Sequence, residues 1–152
     1  MSQPNVNING IAHIALSVKD LKISKKFYSQ ILPYFGMSLV HESDKSFYYI
    51  GARTGILIQK IEGLVNTSFS QNTIGLHHFC FRAKSEHDID LVHKILLNMR
   101  ANIVRGPLYG NWVKGYYYIL FEDPDKIRLE VNYVPKKGVF ERNTNFDPSG
   151  DY

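Results

Sequence analysis

Cysteine, long apolar runs and clustered charge are all scarce in this chain of 152 residues, and each scarcity excludes a class of protein. The one cysteine, Cys80, rules out an intrachain disulfide framework. With no charged-then-apolar leader over residues 1–9, a reducing cytoplasmic compartment is expected. No apolar run approaches the roughly 20 residues that a membrane-spanning helix needs, so no membrane association is expected. The net charge is +4, but the basic residues cluster only at Lys19, Lys22, Lys25 and Lys26 and at Lys136-Lys137. They read as solvated helix and tail charges rather than a stripe tracking a phosphate backbone, so nucleic acid is not an expected partner.

What is abundant is aromatic, with 10 Tyr and 9 Phe, as suits a sheet-dominated core. The most informative feature is a repeat. Ile11-Ala-His-Ile-Ala-Leu-Ser-Val18 is matched in kind by Leu76-His-His-Phe-Cys-Phe-Arg-Ala83, with His13 and His78 in corresponding places. Side chains alternate along a strand, so His13, Ala15 and Ser17 share one face, as do His78, Cys80 and Arg82. The opposite faces, Ile14, Leu16, Val18 and Phe79, Phe81, Ala83, are apolar and call for helices. Related by a pseudo-two-fold axis, the histidine faces would converge on one cavity.

Amphipathic helical patterns follow both strands: Leu21, Ser24, Phe27, Tyr28, Ile31 and Leu32, then Ile89, Val92, Ile95, Leu96 and Met99. Asp20 and Ser85 are the expected N-caps, and the first helix should stop near Pro33 or Gly36. Extended segments are expected over Met37–Ser43, Ser46–Gly51 and Gly55–Ile61, and again over Asn102–Val104, Gly115–Phe121 and Ile127–Tyr133, separated by turn residues such as Asp123-Pro124-Asp125. The order of strand, helix and three strands occurs twice. The expected fold class is therefore α+β, a single domain with module one at 10–62, a connector at 63–73, module two at 74–134 and a polar tail at 135–152.

Aligning the last strand of each half on Ile56-Leu-Ile-Gln59 and Ile127-Arg-Leu-Glu130 sets Gln59 opposite Glu130. With His13 and His78 this gives two nitrogen and two oxygen donors, a set suited to a divalent transition metal that keeps a position open. A buried Glu130 would need a cation or arginine beside it. Cys80 and Arg82 share the face of His78, Tyr116 and Tyr118 share a face from which a hydroxyl can reach the cavity, and Trp112 lies in the Gly110–Gly115 loop. These five are the candidate substrate-binding residues. His77 falls on the face opposite His78 and reads as structural, and so does His41. His87 and His93 are six apart on a helix and do not share a face.

His13-Ile-Ala-Leu-Ser-Val-Lys-Asp-Leu with Phe27-Tyr28, then Gly75-Leu-His-His-Phe-Cys-Phe, then Phe121-Glu-Asp-Pro-Asp with Leu129-Glu130-Val131, resembles the vicinal oxygen chelate superfamily of glyoxalases, bleomycin-binding proteins and dioxygenases. The resemblance covers the chain up to Tyr133. It implies paired βαβββ modules forming a cupped mixed sheet around a metal, with His13, His78 and Glu130 as ligands, Gln59 where glyoxalase-like members carry a Glu or Gln, and a homodimer as the assembly. Lys126 departs from the usual Gly after Pro-Asp, a strained choice if the position needs a positive φ.

The expected function is a divalent-metal-dependent, glyoxalase-like lyase or isomerase. It would act on a small oxygen-chelating substrate by proton transfer, with Glu130 as the base and Zn, Ni, Mn, Co or Fe as the metal. One alternative is an iron(II) dioxygenase, since two histidines and a carboxylate also form the oxygen-activating triad. Another is a non-catalytic binder of an antibiotic or aromatic ligand.

Overall fold

The computed structural model describes residues 8–65 and 68–137, so all but the first three residues of the expected tail lie outside the described residues. The chain divides into two compact units between Val65 and Asn66. The first contains β1 (His13–Val18), α1 (Leu21–Ile31), a 3-10 turn (Leu32–Phe35), β2 (Ser38–Glu42), β3 (Ser46–Gly51) and β4 (Thr54–Lys60). The second contains β5 (Phe79–Arg82), α2 (Glu86–Met99), β6 (Asn102–Tyr109), β7 (Tyr117–Glu122) and β8 (Arg128–Tyr133). Each unit is a four-stranded mixed sheet, ordered β1-β4-β3-β2 or β5-β8-β7-β6. The first strand runs parallel to the last, and the remaining pairs are antiparallel. This is the α+β architecture of two tandem βαβββ modules.

Local chemistry sets the helix ends. The Asp20 carboxylate accepts from the amides of Lys22 and Ile23, and the Ser85 hydroxyl accepts from the Asp88 amide, each satisfying N–H groups that a first turn leaves without partners. The first helix runs into its 3-10 turn at Pro33 and ends where Gly36 takes φ 74, a left-handed value that glycine adopts without steric cost.

Packing follows the alternation of the strands. In β1, Leu16 and Val18 are buried while His13, Ala15 and Ser17 are exposed. Ile56 and Ile58 of β4 are buried with Ser24, Phe27, Tyr28 and Ile31 of α1. In the second unit Ile89, Val92 and Leu96 of α2 are buried together with Ile119 and Phe121 of β7. Burying each large aliphatic side chain contributes about 1.5–3 kcal/mol, which is why the apolar stripe of each helix holds it to its own sheet.

One departure from the expected elements and one expected strain have physical causes. The sixth strand runs to Tyr109 instead of stopping at Val104, passing Gly106-Pro107 through two irregularities of register with β7. It is the outermost strand of its sheet, where a proline can be tolerated. Lys126 does take a positive φ, 68°, in a turn closed by Asp123, whose carboxylate accepts from the amides of Asp125 and Ile127.

Candidate metal-binding and catalytic site

The site is built on the strands β5 and β8. Their parallel pairing sets Cys80 beside Glu130 and Arg82 beside Asn132, so these four side chains share one face with His78, just before β5. Glu130 is fully buried, an expensive place for a carboxylate unless its oxygens are partnered. The Tyr116 hydroxyl donates to its Oε1, Cys80 lies beside it on the paired strand with its thiol donating to the Phe81 carbonyl, and His78 Nε2 stands 3.4 Å from Oε2. Asn132 Nδ2 donates to the Tyr116 oxygen at 2.9 Å, fixing the phenol from behind.

The surroundings tune these groups. Burial first, then the neighbouring His77 and Arg128, hold His78 down at about 4, so its ring is neutral at ordinary pH. Burial and the adjacent Glu130 push Tyr116 far above the usual phenol range, and it stays protonated as a donor. The same two causes raise the Cys80 thiol, whose residue surface is nonetheless exposed, which favours the protonated thiol over a thiolate. Trp112 stacks on Tyr116 with ring centroids 5.8 Å apart, and together with Val113, Tyr118 and Leu120 it forms an apolar cluster around the phenol. Tyr118 lies on the same face and is buried, whereas Arg82 is exposed.

His78 and Glu130 are the two residues of this unit that could hold a metal ion between them. Two donors bound to one tetrahedral ion at about 2.1 Å stand about 3.4 Å apart, which is the observed Nε2–Oε2 separation. The atoms turned away from that point are already engaged, Oε1 by Tyr116 and Nδ1 of His78 by His77 Nδ1 at 2.8 Å, as is usual for ligating side chains. Among the described residues no group of three or more His, Cys, Asp or Glu side chains is disposed to hold a metal ion.

In the first unit His13 is exposed at the start of β1 and pairs with Gly55. A Cβ at Gly55 would overlap the ring and hydroxyl of Tyr48, so the glycine admits that ring, which meets His13 edge-on at 6.5 Å between centroids. His41 is exposed on β2.

Strand register displaces the alignment that set Gln59 opposite Glu130. In the second unit Cys80 pairs with Glu130; in the first the matching Ala15 pairs with Leu57, and Gln59 pairs with Ser17. Leu57 therefore occupies the place of Glu130, and Gln59 that of Asn132. From Gly55, beside His13, to Gln59 is four residues, about 13 Å along the strand at roughly 3.3 Å each. From the His78 position to Glu130 is only two. The structure thus does not bring Gln59 to His13 as it brings Glu130 to His78.

Sequence reasoning missed Asn132, Tyr48 and the contact of His77 with His78. For Asn132 a signal existed, since a residue two beyond Glu130 on a strand shares its face.

The family model of the Glyoxalase/Bleomycin resistance protein/Dioxygenase superfamily matches residues 10–131. The uncharacterized protein YqjT of Bacillus subtilis (strain 168) is 26% identical over 128 residues, covering 78% of this chain and 94% of that protein. Among solved structures, a glyoxylase/bleomycin resistance protein/dioxygenase domain from Frankia sp. EAN1pec superposes with a TM-score of 0.69 at 23% identity, over 86% of this chain and 96% of that one. Lactoylglutathione lyase from Agrobacterium tumefaciens gives 0.62 at 22% identity, over 83% and 94%. On the strength of the family match, which spans both βαβββ units, the chain belongs to the Glyoxalase/Bleomycin resistance protein/Dioxygenase superfamily.

Proposed function

We propose that this chain is a divalent-metal-dependent enzyme acting on a small substrate that presents two adjacent oxygens, and that it works by proton transfer, as a lyase or isomerase. The observation that carries this reading is the 3.4 Å approach of His78 Nε2 to the buried Glu130 Oε2. We assign His78 and Glu130 as metal donors, with His13 as the third on its matching strand position. Gln59 is left out, because Leu57 stands where a fourth donor would be. A zinc, nickel, manganese, cobalt or iron ion held there would supply Lewis acidity toward the substrate oxygens.

The side chains account for the proton. Glu130 is the base, a carboxylate kept from water by its burial. Tyr116 holds Oε1 and is far too weak an acid to ionise, so the proton would be taken at Oε2 once that oxygen loosens from the metal as substrate binds. Trp112 and Tyr118 wall the apolar side. Arg82, exposed on the same face, favours a substrate that carries a negative charge. The Cys80 thiol packs against the carboxylate and takes no covalent part.

The absence of a carboxylate at Leu57 supports a second reading, because two histidines and one carboxylate are also the donors of oxygen-activating iron(II). One experiment separates the two. The protein reconstituted with each metal is screened against methylglyoxal–thiol adducts without oxygen and against catechols with oxygen, alongside Glu130→Gln. The proton-transfer reading predicts oxygen-independent turnover that Glu130→Gln lowers roughly 10²- to 10⁴-fold. Oxygen uptake with catechols supports the dioxygenase reading, and ligand binding without turnover supports a binder. As for assembly, we propose a homodimer, by likeness to the family, and a monomeric mass in solution at micromolar concentration would refute it.

A further inference from the structure

We propose that His77 is a positioning residue for His78, accepting the Nδ1–H of that ring and so holding it in the tautomer whose Nε2 lone pair is available to a metal. This rests on the reading of His78 and Glu130 as metal donors. The two Nδ1 atoms are 2.8 Å apart and the rings meet nearly edge-to-face, with centroids 5.1 Å apart. At that distance one proton lies between them: two N–H groups would collide and two lone pairs would repel.

Only two arrangements satisfy this for neutral rings. If His77 donates, His78 carries its proton on Nε2 and points it at Glu130 Oε2 across 3.4 Å, longer than a good N–H···O bond. If His78 donates, its Nε2 lone pair faces the Glu130 carboxylate, an arrangement that a cation at ligand distance from both would favour. A metal therefore selects the second arrangement, and His77 must then accept at Nδ1.

Neighbours in sequence on a regular strand would point to opposite faces. Both precede the paired strand, which begins only at Phe79, so strict alternation does not govern them, and their rings meet.

The test compares zinc(II) affinity, by competition with a chelator, in the wild type, in His77→Phe, which keeps a ring but loses the acceptor, and in His77→Asn, whose amide oxygen can replace Nδ1. Loss of such an outer hydrogen bond typically weakens metal binding by roughly 10- to 100-fold. That loss is expected for His77→Phe, with His77→Asn within about threefold of wild type. Independently of affinity, long-range proton–nitrogen correlation spectra of the zinc-loaded wild type should show His78 protonated at Nδ1. Equal affinity in wild type and His77→Phe, or a bare His78 Nδ1 in the zinc-loaded protein, would overturn the role of His77 while leaving the metal site standing. A wild type that takes up no zinc would overturn both.

Discussion

Leu57 and Glu130 occupy the same position in two copies of one strand pairing, Leu57 beside Ala15 and Glu130 beside Cys80. One module thus carries a carboxylate at the centre of its sheet face and the other an apolar side chain, so the two halves of the repeat are not chemically equivalent.

That asymmetry predicts opposite outcomes for two substitutions to glutamate. Leu57→Glu restores a carboxylate at the position of Glu130 and should raise metal affinity about tenfold or more. Gln59→Glu, two residues farther along β4, should leave it within about threefold. Isothermal titration of the metal-free proteins checks this, and a gain for Gln59→Glu alone would restore the alignment of Gln59 with Glu130.

Tyr116→Phe removes a donor from a carboxylate that is fully buried. Hydrogen bonds to charged groups contribute about 1.5–3 kcal/mol, so the unfolding free energy of the variant, measured by urea titration, should fall by an amount in that range. Trp112→Phe, which keeps a stacked ring and the Tyr116–Glu130 bond, should cost less.

The metal-free protein should lose stability in acid. Burial, His77 and Arg128 hold His78 at about 4 in the folded state, whereas an unfolded histidine titrates near 6.5. Between those values the unfolded chain binds more protons, so this contribution is intact above about pH 6.5 and falls away as pH drops toward 4. Melting temperatures of chelator-treated protein should decline through that window, and His78→Gln should flatten the decline.

Much of the fold was legible because it depends on local periodicity. The matched histidine strands, the caps at Asp20 and Ser85, the strand Ser46–Gly51 and the helix faces all follow from spacing. Glu130 was legible as a polar residue in an apolar strand. Gln59 misled because Leu57 and Gln59 share a face: a period of two fixes which side a residue points to but not its register to within two residues. That register is set by β1, far away in sequence. The facing of His77, though not its role, was misread for the complementary reason, since alternation was extended to a residue that precedes the paired strand.

Whether His78 and Glu130 hold a divalent ion, as proposed, is decided by elemental analysis of the mildly purified protein, repeated after chelation and reloading with zinc, nickel, manganese or iron(II). One ion per chain is expected in the wild type and only traces in His78→Ala. Traces in the wild type that none of these metals restores, or full occupancy in His78→Ala, would mean that these two residues are not metal donors.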